Sequence, residues 1–312
     1  MQRVGLGGVF GWLVLCAISL VACGGCGGGG GETNSSEKPY GIQIADALKI
    51  PDADRRCAKL LAIGQDAHKN KASEFAGQAT SEAAKAAEQV KDTLPRAKSF
   101  SAVAKVQAAI GRKSDAKRSA SKAGEAAGKI EELGTKVRQM RAVAEAYAAA
   151  GDSGTAGDWL KKAEQAAITA SEITVKVDLL REVAAGFTAL KNKAEVDRIV
   201  QEMQDIAKAE ADVATRVKAL IDIGQALTKA GNKAEAVKVL NVAVEEASKI
   251  GKPDAAIYRM CDAAEALAAA GQGAKASEVV EAAHKLTAKV KEPDVQADAM
   301  AKVAKVRRGL NE

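Results

Sequence analysis

The feature that most constrains this chain is a period of forty residues. Stepping by forty, Leu60, Phe100, Met140, Leu180, Leu220, Met260 and Met300 fall in one column. Ile63, Val103, Val143, Val183, Ile223, Ala263 and Val303 form a second. A column of small residues follows at once: Gly64, Ala104, Ala144, Ala184, Gly224, Ala264 and Ala304. The columns hold without a gap, and seven aligned units exclude chance. A period of this size marks stacked supersecondary units, none of which can bury its apolar face alone.

Each unit reads as two helices. From Leu220 to Ala243, apolar or small residues recur at three- and four-residue steps, as one helix face requires. Gly231 breaks the pattern. The turn column reads Lys71, Gly111, Gly151, Lys191, Gly231, Gly271. Asn232 follows as an N-cap with Glu235 three residues on, and Asn192 with Glu195 repeats that capping box. Leu160, Val200, Leu240 and Val280 align in the second helix, as do Ala163, Met203, Ala243 and Ala283. Pro51, Pro95, Pro253 and Pro293 fall at or just before first helices, where a missing N–H is harmless. The small column predicts close helix approach at that point.

Composition agrees. Aromatics are 3% of the chain, which suits alanine-lined helical packing and excludes a sandwich or barrel. The net charge of +6 is small beside 46 basic and 40 acidic residues. That balance is a mixed-sign surface, not the concentrated basic field of a nucleic-acid binder. Cys16, Cys23, Cys26, Cys57 and Cys261 show neither a disulfide framework nor zinc-like spacing.

Leu220, Ile223, Gly224, Leu227, Gly231, Ala236, Leu240 and Ala243 carry the residue order of tetratricopeptide repeats, with Tyr147 and Phe187 in the aromatic column. Over about residues 50–310 the chain resembles that family. The resemblance implies an all-α, right-handed α-solenoid of about six forty-residue helical hairpins plus a C-terminal capping helix. Two departures stand out. The family's usual period is shorter, and the first two units place Ala67, Gln107, Thr80 and Ala120 at normally large positions.

The N-terminus reads differently. Val4 to Ala22 is uncharged and apolar or small, and Leu20-Val21-Ala22-Cys23 ends it. Those four residues resemble the lipobox of bacterial lipoproteins. The resemblance implies a cleaved signal peptide over 1–22 and a lipid on Cys23. Residues 23–45 are then the attachment site and a flexible glycine-rich linker, and 46–312 the solenoid. An uncleaved anchor helix over the apolar run is the alternative. Gly24 lacks the aspartate that retains some lipoproteins at the inner membrane, so the resemblance implies an envelope protein, with the outer membrane or periplasmic face favoured.

The search for site chemistry yields little. His68 and His284 are the two histidines, far apart along a solenoid. Glu281-Ala282-Ala283-His284 has the spacing of one half of a di-iron site, but the sequence has no second such half. We expect no enzyme activity, no metal, no cofactor and no small-molecule substrate. Cys57 and Cys261 read as small packed residues.

The groove-facing columns implied by the tetratricopeptide resemblance hold Lys98, Lys105, Arg138, Arg141, Arg181 and Lys218, with Tyr258 further along. Glu145, Asp178 and Glu265 interrupt them. Such a face could hold an acidic peptide, since Arg binds carboxylates bidentately. The competing reading is a solvated mixed-charge face without a ligand. A second basic cluster, Arg112, Lys113, Lys117, Arg118 and Lys122, is open to anionic lipid or to plain solvation. The resulting expectation is a membrane-anchored adaptor for a protein partner. The alternative is a structural envelope lipoprotein with no specific ligand.

Overall fold

A computed structural model describes residues 38–311. The lipobox, Cys23 and residues 1–37 of the expected signal and linker lie outside the described residues. Within them the chain is helical from end to end, without strands.

After helix α1 (Tyr40–Leu48) come six hairpins. They are α2 (Ala53–Lys69) with α3 (Ser73–Gln89), α4 (Thr93–Ala109) with α5 (Lys113–Gly128), and α6 (Leu133–Ala149) with α7 (Ser153–Ala167). Then follow α8 (Ile173–Ala189) with α9 (Lys193–Lys208), α10 (Val213–Lys229) with α11 (Lys233–Ala247), and α12 (Pro253–Ala269) with α13 (Gly273–Thr287). Helix α14 (Pro293–Asn311) ends the series. First helices begin at residues 53, 93, 133, 173, 213, 253 and 293, so the forty-residue period of the sequence is the period of the fold. The chain is an α-solenoid of helical hairpins.

One turn chemistry is used six times. Gly231 has φ +81° and donates to the Thr228 carbonyl at 3.0 Å; Asn232 donates to that of Leu227 at 2.9 Å. This paired closure of a helix end through a left-handed residue recurs at residues 71, 111, 151, 191 and 271. The next residue then serves as N-cap of the second helix. Asn192 accepts from the Glu195 amide at 3.3 Å, whereas Asn232 holds its N-cap position without a side-chain bond. The expected reciprocal boxes are not formed. The Glu195 carboxylate turns to Arg198 at 2.8 Å, and that of Glu235 to Lys238 at 3.0 Å.

First helices pack on the first helix of the next hairpin, and each second helix packs on the first helices either side of it. The first helices therefore form the inner layer and the second helices the outer one. The small column sits where helix meets helix: Ala104 and Ala264 are fully buried, and Ala144 and Ala184 nearly so. In the two degenerate units, polar groups fill the gap. Thr80 donates to the Ala76 carbonyl at 2.9 Å, and Ser119 donates to Gln107 Oε1 at 2.8 Å, all buried.

One boundary is corrected. The linker expected over 23–45 does not reach 45, because α1 occupies 40–48 and buries Ile44 and Ala47 against the first hairpin. Tyr40 Oη donates to Asp66 at 2.8 Å and accepts from Asn70 at 2.7 Å. A nine-residue helix outside the forty-residue register, preceded by polar residues, leaves little periodic signal. At the other end, Met300 is 43% exposed on α14, since no described second helix covers that face.

Candidate functional site

The inner layer holds every groove residue expected from the sequence, and most of them are already engaged. Lys105 Nζ lies 2.6 Å from Glu145 on the next first helix. Arg141 stands between Glu145 at 3.5 Å and Glu182 at 3.4 Å. Arg181 pairs with Asp178, and Lys218 with Asp222 at 2.7 Å. Burial works to lower the Arg181 pKa, but Asp178, Asp222 and Glu182 outweigh it and the value rises. Arg138 is exposed and 3.9 Å from Glu132. Lys98 is exposed with no described ion partner, and Tyr258 is 37% exposed.

These contacts run along the solenoid as well as within helices. Lys105–Glu145 and Arg141–Glu182 tie α4 to α6 and α6 to α8. Near the C-terminal end Lys302 reaches Asp262 at 3.1 Å and Glu265 at 3.4 Å. The basic groove of the sequence reading is therefore a ladder of ion pairs. Half-exposed pairs of this kind contribute roughly 0–1 kcal/mol each. Their main effect is to fix the relative position of neighbouring first helices.

Sequence reasoning missed Glu182, Asp222, Asp262 and Lys302, which share one column beside the groove columns. A usable signal existed: charges of opposite sign one period apart, as at Lys105/Glu145 and Asp262/Lys302. Asp222 is 7% exposed, and burial pushes its carboxyl upward against the pull of Lys218 and Arg181. On α4, α6 and α8, four buried polar atoms have no hydrogen-bond partner in the described protein: Ser101 Oγ, Gln139 Oε1, Arg141 Nε and Arg181 Nε.

The second basic cluster is also largely spent. Arg112 donates to the Gly77 carbonyl at 2.7 Å and pairs with Asp115 at 2.6 Å, which Arg118 also approaches at 3.5 Å. Lys117 pairs with Asp152 at 2.9 Å, and Lys122 with Glu88. Lys113 is left exposed. Glu281, the acid of the one E-x-x-H sequence, is taken by Arg307 at 2.7 Å. Among the described residues no group of three metal-ligating side chains converges, and no helix is long and apolar enough to cross a membrane.

No family model matches the sequence, and no curated protein matches it. Solved structures similar to it include Ton1535 from Thermococcus onnurineus NA1, at 15% identity and a TM-score of 0.39 over 85% of this chain and 95% of that one. A Rap protein complexed with competence and sporulation factor is 15% identical, with a TM-score of 0.32 over 88% of this chain and 81% of that one. BtubC from P. vanneervenii is 13% identical, with a TM-score of 0.35 over 82% and 95%. Likenesses at this level decide nothing about this chain, and the fold rests on its own helices.

The outer layer offers a feature the sequence reading did not single out. Between α9 and α11, over α10, lies a cavity of about 380 Å³ with Leu220, Val239 and Val242 as its apolar lining. Val242 is 46% exposed. At the equivalent place between α3 and α5 the furrow is bridged by Glu88 and Lys122.

Proposed function

We propose that this chain is an envelope lipoprotein, held by a lipid on Cys23, whose helical-repeat surface acts as a non-catalytic scaffold for a protein partner. The observation that carries this reading is a continuous inner layer of first helices on which Lys98, Arg138 and Tyr258 stay exposed. An extended peptide laid along that layer would meet these exposed side chains first.

The test is capture of a partner by the full-length chain from native membranes, beside a Lys98→Glu/Arg138→Glu/Tyr258→Ala variant. These three positions are exposed, so the variant removes only the 3.9 Å Arg138–Glu132 contact and leaves the pairs between first helices intact. Loss of the partner with the variant supports the inner face as the site. Retention moves the site to another surface. Lipid attachment is read separately, as an acyl mass increment on the Cys23 peptide that disappears in Cys23→Ser.

One observation favours a second reading, a structural envelope lipoprotein without a specific ligand. Five of the six groove cations lie within 4 Å of a carboxylate of the same chain, so the face does not need an acidic partner to be neutralised. Absence of any stoichiometric partner in both captures would decide for it.

A further inference from the structure

The turns inside the hairpins lie along one edge of the solenoid, and the loops between hairpins along the other. The two edges differ in net charge, although the loop edge also carries the exposed Lys91, Lys129, Lys252, Lys289 and Lys291. On the loop edge, first helices are entered through carboxylates at their N-caps: Asp52, Asp92, Glu132, Glu172 and Asp212. The turn edge carries Lys69, Lys71, Lys113, Lys191, Lys229 and Lys233, all exposed and none paired with a described carboxylate. Asp152, within two residues of a left-handed position, is neutralised by Lys117 at 2.9 Å. Glu74, Asp115, Glu195 and Glu235 interrupt the row in the first turns of α3, α5, α9 and α11, and the last three are paired with Arg112, Arg198 and Lys238.

Two of these lysines hold their place against a conformational cost. Lys71 and Lys191 have φ of +60° and +57°, at the position where the other four turns use glycine. A β-carbon in that region costs about 1–2 kcal/mol, and strain retained at a surface points toward a use for the side chain.

The described chain also enters at this edge. Tyr40 is bonded to Asp66 and Asn70, at the turn end of α2, which places it beside Lys69 and Lys71. Phe75, in the first turn of α3, is 37% exposed, with its ring centroid 6.0 Å from that of Tyr40. Ile42 is 51% exposed, and its neighbour Gly41 lies against the Phe75 ring. Basic side chains interleaved with exposed aromatic and aliphatic ones make a surface suited to the headgroup layer of a bilayer.

We propose that the turn edge, led by its first two turns, docks on an anionic phospholipid surface. Phe75 and Ile42 sit at headgroup depth, and the lysines lie against the phosphates. The proposal takes its membrane from the lipoprotein reading. Sixteen residues separate Cys23 from Tyr40. At up to about 3.6 Å per residue they span up to about 60 Å, ample for this edge to reach the bilayer that holds the lipid.

The test is lysine acylation of the full-length chain, mapped by mass spectrometry. It is run free, on vesicles of phosphatidylethanolamine with phosphatidylglycerol, and on vesicles of phosphatidylcholine. On the anionic vesicles Lys69, Lys71 and Lys113 are expected to react at least about 5-fold more slowly, the factor that ~1 kcal/mol per lysine gives. Lys129 and Lys252, on the loop edge, are expected to react unchanged, and phosphatidylcholine to protect neither edge. Lys71→Gly relieves the backbone strain, so weakened protection of Lys69 and Lys113 in that variant cannot be assigned to misfolding. Turn lysines that react equally with and without anionic vesicles, or protection that falls on the loop edge, would overturn the proposal. The same footprint on Cys23→Ser keeps the two readings apart. A chain acylated at Cys23 whose turn lysines stay reactive upholds the lipoprotein and rejects the docking edge; a footprint without acylation does the reverse.

Discussion

A β-carbon on Gly224 would lie 2.5 Å from both Cγ and Cδ2 of Leu240. The two residues stand sixteen apart, in the small column of α10 and the large column of α11. Gly64 repeats the relationship with Thr80, whose Cγ2 would meet the added carbon at 2.9 Å. The small column is thus the surface on which the two helices of one hairpin close.

Gly224→Ala should therefore destabilise the protein, despite the better helix propensity of alanine. Overpacking costs about 1–3 kcal/mol, against up to ~1 kcal/mol returned by propensity. Ala184→Leu, at the same column two per cent exposed, should cost a similar ~1–3 kcal/mol. The denaturant midpoint measures both. An unchanged midpoint for either would contradict this closure.

Most of the fold was legible because its signals repeat. A single Gly231 is a weak turn signal, but six turn residues at a forty-residue spacing, followed by six second helices, are not. Residues outside the register left no such trace, and α1 was read as linker down to residue 45. The inner face was legible in position and misleading in charge. Columns report which residues share one side, and Arg141 and Arg181 both lie on first helices of the inner layer. The columns do not report that Glu182 and Asp222, in the adjacent column of the following helix, come within reach of those guanidiniums.

Lys71→Gly and Lys191→Gly should each stabilise the protein by about 0.5–1 kcal/mol. The left-handed backbone costs a residue with a β-carbon about 1–2 kcal/mol, and the added freedom of glycine in the unfolded chain gives back part of the gain. In the reverse direction, Gly111→Ala should lose about 1 kcal/mol although no atom lies within 4 Å of its added carbon, because φ there is +85°. Thermal midpoints of the three variants check the sign. Destabilisation by Lys191→Gly would mean that its side chain makes a stabilising contact.

Cys57 and Cys261 should be inert in the folded protein. Burial pushes both thiols up to about 11, so at neutral pH they are protonated as well as covered. Reactivity follows the thiolate and its exposure. Iodoacetamide should modify either peptide only as fast as the solenoid unfolds, with the same denaturant dependence as the helical signal. Labelling well below the unfolding transition would show that the hairpin holding that cysteine opens on its own.

Asp222 gives a prediction with a sign. Burial raises its folded pKa above the unfolded value of about 3.9. Through the window between the two, the folded chain binds more protons, so stability falls as pH rises. Above its folded pKa the protein carries the full cost of the buried carboxylate. Asp222→Asn lacks that cost, and Lys218, whose side chain is 38% exposed, can be hydrated once its partner is gone. The stability of the variant relative to the parent should therefore increase from about pH 4 to about pH 7. Asp152 should behave oppositely. Lys117, and after it the Thr155 amide, hold its carboxyl below the usual range. Its contribution is present above the unfolded pKa and lost as pH falls through the folded one. Asp152→Asn should be most destabilising near neutral pH and approach the parent in acid. Thermal midpoints of both variants across that range are decisive, since a shared non-specific effect of charge would give slopes of the same sign.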